Sequence, residues 1–320
     1  MAEITYREAT LEDAELAADI MTASFPTLPQ DPVITRYRWE QPRRGYARGR
    51  YIAEHDGRPI AFLAWMHGPW AELPDRHCEI EVWLDRSMLG QNLLEPMWSW
   101  IEARALAEGS GLLLAYAGED EPEMLDALAA LGYERDRLDR VWELDLGVHG
   151  KRLADEAHRA RERMRAESIE LVTLADWRDP AAMRKLHELN RRTVQDVPHS
   201  VPILDEPFED FERRVAAPDR RADRWWIALL ADQPVAMSFL KFPPVRGRVF
   251  TGFTCSDPAH RGRGIARAVK LQTLAQAFEL GVPVVFTDND SENAPMLHIN
   301  ETLGYQLRPG FVEHLKRVTE

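Results

Sequence analysis

The chain repeats itself, and that repetition limits what it can fold into more than any other feature of its 320 residues. Residues 51–62 read YIAEHDGRPIAF and residues 226–237 read WIALLADQPVAM; the Ile-Ala and Pro-x-Ala pairs recur at an offset of 175. Each copy reads as a strand, a polar turn and a second strand. Further on, LAALGYERD at 128–136 faces NETLGYQLR at 300–308, with Leu-Gly-Tyr repeated at an offset of 172. Before each Leu-Gly-Tyr come a long helix, at about 90–108 and 264–280, and a short apolar strand, GLLLAY or VPVVFT. Three matches in one order at near-constant spacing indicate duplication of one domain.

The polar stretch after VWELDLGVHG places the boundary near residue 150 and gives domains at 1–148 and 149–320. A helix at 151–166 either links them or opens the second. The first half reads β 3–8, α 11–23, α 31–40, β 50–55, β 59–67, β 77–84, α 91–108, β 111–116, α 122–131, β 133–145. The second reads β 168–174, α 180–193, α 206–217, β 224–230, β 234–242, β 248–255, α 264–280, β 283–287, α 293–303, β 305–318. A meander followed by strand-helix-strand units predicts an α/β (α+β) architecture: two tandem domains, each a mixed, mostly antiparallel sheet flanked by helices.

Composition excludes several alternatives. No apolar run approaches the ~18 residues of a membrane span, and the polar N-terminal segment does not read as a signal peptide. Two distant cysteines, Cys78 and Cys255, form neither a disulfide framework nor a metal cluster, so no metal is expected and a reducing cytoplasm is the default. A net charge of −13 argues against nucleic acid. It is mildly friendly to a cationic substrate.

The chemistry concentrates in TGFTCSDPAHRGRGIARAVKLQTLAQAFELG, residues 251–281. An apolar strand ends at Asp257-Pro258, where proline stops pairing and fixes a turn. Arg261, Gly262, Arg263, Gly264, Ile265 and Ala266 then open a helix. Glycines let backbone N–H groups approach a ligand, and the helix N-terminus adds unpaired donors and partial positive charge. With two guanidinium groups alongside, this is a cradle for a diphosphate.

RGRGIA resembles the acyl-CoA signature of the GCN5-related N-acetyltransferase (GNAT) superfamily, Arg/Gln-x-x-Gly-x-Gly/Ala, with Arg261, Gly264 and Ala266 on its defining positions. FTDNDSENAPMLHINETLGY at 286–305 resembles the fifth strand and following helix of many bacterial members, and the repeat suggests a tandem, two-domain one. The resemblance implies acetyl-CoA as co-substrate and direct acetyl transfer to the primary amine of a small molecule. It implies a bulged strand end near Thr254, Cys255 and Ser256 that bonds the pantetheine arm through its backbone, and Asn293 beside that arm where two strands splay. The family's usual acid, a tyrosine, falls at Asn300 and is thus missing, and Asn300 is expected instead with Asn293 among the cofactor-binding residues. Asp288 and Glu292 are the base candidates. Two alternatives stay open: a module that binds acyl-CoA or a metabolite without turnover, and a transferase of this fold using another acyl donor. In the first half Arg261, Gly264 and Ala266 correspond to Leu89, Asn92 and Leu94, and only Gly262 keeps its glycine, as Gly90. That domain is expected to have kept the fold, to have lost the cofactor site through bulkier side chains, and to wall the substrate cleft.

Overall fold

The computed structural model describes residues 4–318; residues 1–3, 319 and 320 of the ranges above lie outside the described residues. In the first half the elements are β1 (Ile4–Glu8), α1 (Ala14–Ser24), α2 (Pro32–Glu40), β2 (Ala47–His55), β3 (Arg58–His67), β4 (His77–Leu84), α3 (Leu94–Ala107), β5 (Leu112–Gly118), α4 (Pro122–Ala130) and β6 (Glu134–Asp145). Helix α5 (Leu146–Ala166) crosses to the second half. There follow β7 (Ile169–Thr173), α6 (Ala182–Val194), α7 (Phe208–Val215), β8 (Trp225–Leu230), β9 (Gln233–Lys241), β10 (Phe250–Ser256), α8 (Ile265–Glu279), β11 (Val284–Asp290), α9 (Ala294–Leu303) and β12 (Gln306–Arg317). Every strand and helix expected from the sequence is present within a few residues. Among the described residues no helix is long and apolar enough to cross a membrane.

The assembly of those elements differs from two separate sheets. All twelve strands form one sheet in the order β1-β2-β3-β4-β5-β12-β6-β11-β10-β9-β8-β7. The order is symmetric about the β12–β6 pair, and the last strand of each half crosses into the other. Strand β12 pairs with β5 from Phe311↔Gly118 to Arg317↔Leu112, and β6 pairs with β11 from Val284↔Asp145 to Asp290↔Asp139. An open sheet edge is a liability, and the reciprocal exchange removes one from each half.

Side-chain alternation splits the core between the two faces. On one face, Ala228, Val235 and Leu240 pack with α5, α8 and α9, and Ile80, Val82 and Leu113 pack with α3 and α4. On the other, Ile227, Met237 and Phe239 pack under α6 and α7, and Ile52 and Phe62 under α1. Helix α5 shows how sequence sets packing: Leu146, Leu153, Ala157, Ala160 and Met164 recur at helical spacing and are buried, with Lys and Arg between them left in solvent.

Candidate active site

Strands β10 and β11 run parallel but share one paired position, Phe250↔Phe286, before they diverge. The gap beyond it is the splay that the resemblance implied. The bulge beside it is not where expected. Thr254, Cys255 and Ser256 pair regularly with Ser238, Met237 and Ala236, and the irregularity falls between Thr251 and Phe253. Gly252 sits there because a Cβ would lie 1.9 Å from the Phe239 ring. The stacked Trp225–Phe239 pair behind it, 3.9 Å between centroids, holds that ring in place. Thr254 spends its hydroxyl on Ser238, 2.8 Å away, and Cys255 is buried against α6 with its thiol pushed up to about 12 by burial. A thiol so protonated is packing, not a nucleophile.

The 261–266 loop has the geometry of an anion seat. Asp257 caps the short turn Pro258–His260 by accepting from the Ala259 N–H, as Asp85 does from Ser87 in the first half. Gly262 and Gly264 take φ of 76° and 73°, a left-handed conformation that costs glycine little. Gly264 is the N-cap of α8 and has no side chain to spend on the helix end. Among the described residues no carbonyl or side chain accepts from the N–H groups of residues 262–267, while Ala268 returns to the Gly264 carbonyl. Ile265 is buried and anchors the turn, with Ala266 half-buried and Arg263 exposed beside it. Arg261 bonds Asp196, and Arg263 meets Glu167 at 2.8 Å; both guanidinium groups stay at the surface.

The corresponding loop of the first half keeps the backbone and changes the charge. Gly90 and Asn92 are left-handed, at φ 77° and 57°. Crowding by bulky side chains, expected from the sequence, is not what separates the two loops: a recess of about 490 Å³ remains, lined by Glu95, Glu123 and Asp126 with no arginine. The Glu123 carboxylate itself accepts from the Gly90 N–H at 2.8 Å, so a side-chain anion fills the place of a phosphate. Pro295 stands at the matching position of the second half.

Around the splay, Asn293 uses its side chain to cap α9, accepting from Met296. Asn300 is fully enclosed rather than beside an open channel; it accepts from Lys270 Nζ at 2.7 Å and donates to Asn289 at 2.5 Å. Lys270 is itself fully buried, with the Tyr305 ring 5.0 Å away, and burial pulls its ammonium down to about 7 against the opposing pull of Asp288. Tyr305 is a buried core residue. Glu292 is committed to Arg137 at 2.7 Å.

Asp288 is open to solvent on the α1/α6 face of the sheet, yet surrounding protein pushes its carboxyl above the usual range while Lys241 and Lys270 oppose the shift. Asp139, on β6 two residues from the partner of Asp288, is pushed up to about 6, first by burial and then by Asp288, Asp290 and Glu313. Next along the same face Tyr116 donates to Glu313 at 2.7 Å, and Glu79 is raised by burial and by Glu81 and Glu313. Sequence reading missed Asp139, Glu313 and Glu79. No local signal marks them, because strand exchange alone makes them neighbours.

Between α1/α2 and α6/α7 on this face lies a cavity of about 700 Å³, walled by Trp39, Trp65 and Trp83 from the first half and by Asn190, Gly252 and Phe253 from the second. The loop after β9 closes one side: Val245 and Arg246 donate backbone N–H groups to Asp31 at 2.7 and 2.9 Å. Residues of both halves therefore line this cavity.

Residues 183–305 match the family model described as the acetyltransferase (GNAT) family. The mycothiol acetyltransferase of Thermobifida fusca (strain YX) is 24% identical over 304 residues, covering 91% of this chain and 90% of that protein. The fold is similar to that of a tandem GNAT protein from the clavulanic acid biosynthesis pathway, with a TM-score of 0.77 at 15% identity over 99% of each chain. It is also similar to that of a GCN5-related N-acetyltransferase from Sphaerobacter thermophilus, with a TM-score of 0.69 at 18% identity over 99% of this chain and 96% of the other. The second half thus carries a match to the acetyltransferase (GNAT) family over residues 183–305, and the chain as a whole shares the doubled fold of a tandem GNAT protein.

Proposed function

We propose that the chain moves an acetyl group from acetyl-CoA to the primary amine of a small molecule, with the cofactor bound by the second half alone. The observation that carries this is the run of unpaired N–H groups at residues 262–267, set at the start of a 15-residue helix beside a two-strand gap. Donors so arranged suit a diphosphate, and the gap between β10 and β11 suits an extended arm. Asn293 and Asn300 flank that gap without contributing a free side-chain group to it.

The acceptor enters from the cavity between the halves. An alkylamine arrives protonated at neutral pH and must lose its proton before attacking the thioester carbonyl. Asp288 stands beside the gap and Asp139 behind it; burial, then the charge of Asp288, raises Asp139 to about 6, which suits a base working near neutrality. As the C–N bond forms and the C–S bond breaks, the thiolate leaves into the gap and is protonated from solvent, since Lys270 and Asn300 are enclosed and bonded to each other. Glu292, held by Arg137, is the poorer base.

Calorimetry with CoA and thiol release with a panel of amines test the proposal together. One CoA bound per chain with thiol release from at least one amine is the expected result. Tight CoA binding with no release from any amine would favour the sensor reading, and no CoA binding would remove both.

A further inference from the structure

The interdomain cavity is positively charged in a chain whose net charge is −13. Eight arginines and five carboxylates line it. Three of the arginines are committed: Arg191 to Asp205 at 2.8 Å, Arg214 to Glu206 at 2.6 Å, and Arg213 to Asp210. Among the described residues Arg38, Arg48 and Arg50 have no carboxylate within 4.0 Å, and Arg50 rests instead over the Trp39 ring at 4.4 Å. Arg220 reaches Asp219 only at 3.8 Å, and its Nε and one Nη are enclosed with no acceptor. An enclosed guanidinium with unused N–H groups is costly unless something accepts from it.

The uncommitted cations face one another across the boundary. Arg38, in the last turn of α2, feels Arg220 from the second half and Glu81 from β4, and Arg50 faces Glu81 as well. Glu81 is the only lining carboxylate without an arginine partner, and its acceptor capacity is partly used by the Trp83 indole N–H at 2.9 Å. Burial holds Glu81 above the ordinary carboxylate range and Arg50 and Arg220 down at about 10. All three shifts reflect charge removed from water without a matched counter-ion.

We propose that this cavity reads an anionic group on the acceptor: the amine acetylated by this chain carries a carboxylate or a phosphate, held by Arg38 and Arg50 of the first half and Arg220 of the second. Guanidinium groups converging from two halves suit the planar or tetrahedral oxygens of either group. The tryptophans would cover the rest of the molecule. The inference rests on the acetyltransfer reading for the amine, but anion binding in the cavity is separable from turnover. The hint of a cationic substrate drawn from overall charge is reversed locally.

The test has two arms. In the first, thiol release is compared within pairs of amines that differ by one charge: glucosamine 6-phosphate against glucosamine, and phenylalanine against phenylalaninamide. The anionic member of at least one pair should have a kcat/KM tenfold or more higher, and which pair responds separates phosphate from carboxylate. In the second arm, inorganic phosphate and acetate are titrated at constant ionic strength into the CoA-saturated chain and into the Gly264→Val chain, with tryptophan fluorescence as the readout. A saturable change should appear in both chains and weaken at least tenfold in Arg220→Gln and in Arg38→Gln. Unchanged CoA affinity and melting temperature show that each variant is folded; Arg38, being exposed, keeps the test valid should Arg220→Gln unfold. Absence of a saturable change, or equal binding in both variants, would overturn the proposal even with full acetyltransferase activity. Preference for the neutral member of both pairs would do the same. Failure of CoA to bind would instead count against acetyl transfer and leave the titration of the Gly264→Val chain to decide the cavity.

Discussion

The Glu123 carboxylate accepts from the Gly90 N–H at 2.8 Å, and Gly90 is the first-half counterpart of Gly262. One duplicated loop therefore carries its own anion while the other leaves its donors unpaired. Two copies of one backbone shape have opposite electrostatics.

A single CoA per chain follows. Calorimetry should give a stoichiometry of one, and Gly264→Val should weaken binding at least tenfold, because a β-branched residue at φ 73° costs on the order of 1–3 kcal/mol and reshapes the loop. Asn92→Val should leave CoA affinity within about twofold. Equal losses in the two variants, or two molecules bound, would contradict the asymmetry.

Acid should switch the reaction off near the point where Asp139 takes up its proton. Its carboxyl is raised to about 6, so kcat/KM should fall as pH drops through about 6 and level off above 7. Asp139→Asn should remove that limb and lower the rate by roughly 10²- to 10⁴-fold, the usual range for a lost base. A full-rate variant with the wild-type pH profile would exclude Asp139 from proton transfer.

Lys270 should leave a signature in stability. Its folded value of about 7 lies below the ordinary 10.5, so between these values the unfolded chain binds the extra proton and stability from this position rises with pH. Below about 7 both states are protonated and the slope vanishes. Lys270→Met should therefore compare most favourably with the parent at pH 6 and lose ground by pH 9.5, by at most ~1.4 kcal/mol per pH unit. Urea melts at pH 6, 8 and 9.5 measure it; parallel curves would show that the ammonium finds compensation when charged.

The halves should not survive separation. Residues 149–320 alone would present β11 and β12 without β6 between them, and residues 1–148 would present β5 without β12. Each fragment should lack a cooperative thermal transition, and mixing or co-expression should restore one. Independent sharp melting of either fragment would mean that its last strand folds back into its own sheet.

Much of this molecule was legible in one dimension. The repeat at offsets of 172 and 175 fixed the element order, since local periodicity and turn residues act within a few positions of themselves. RGRGIA located the loop of unpaired N–H groups for the same reason: two glycines, a helix start and two arginines all lie within six consecutive residues. The exchange of β6 and β12 was not legible. A strand pairs equally well with its own neighbour or its copy's neighbour when the two edges carry the same alternation, so geometry across the whole chain must choose. That choice decided the site. It set Asp139 beside Asp290, Tyr116 against Glu313, and Arg38 across from Arg220. Burial and proximity among residues tens to hundreds of positions apart set these charges, and no stretch of sequence holds that information by itself.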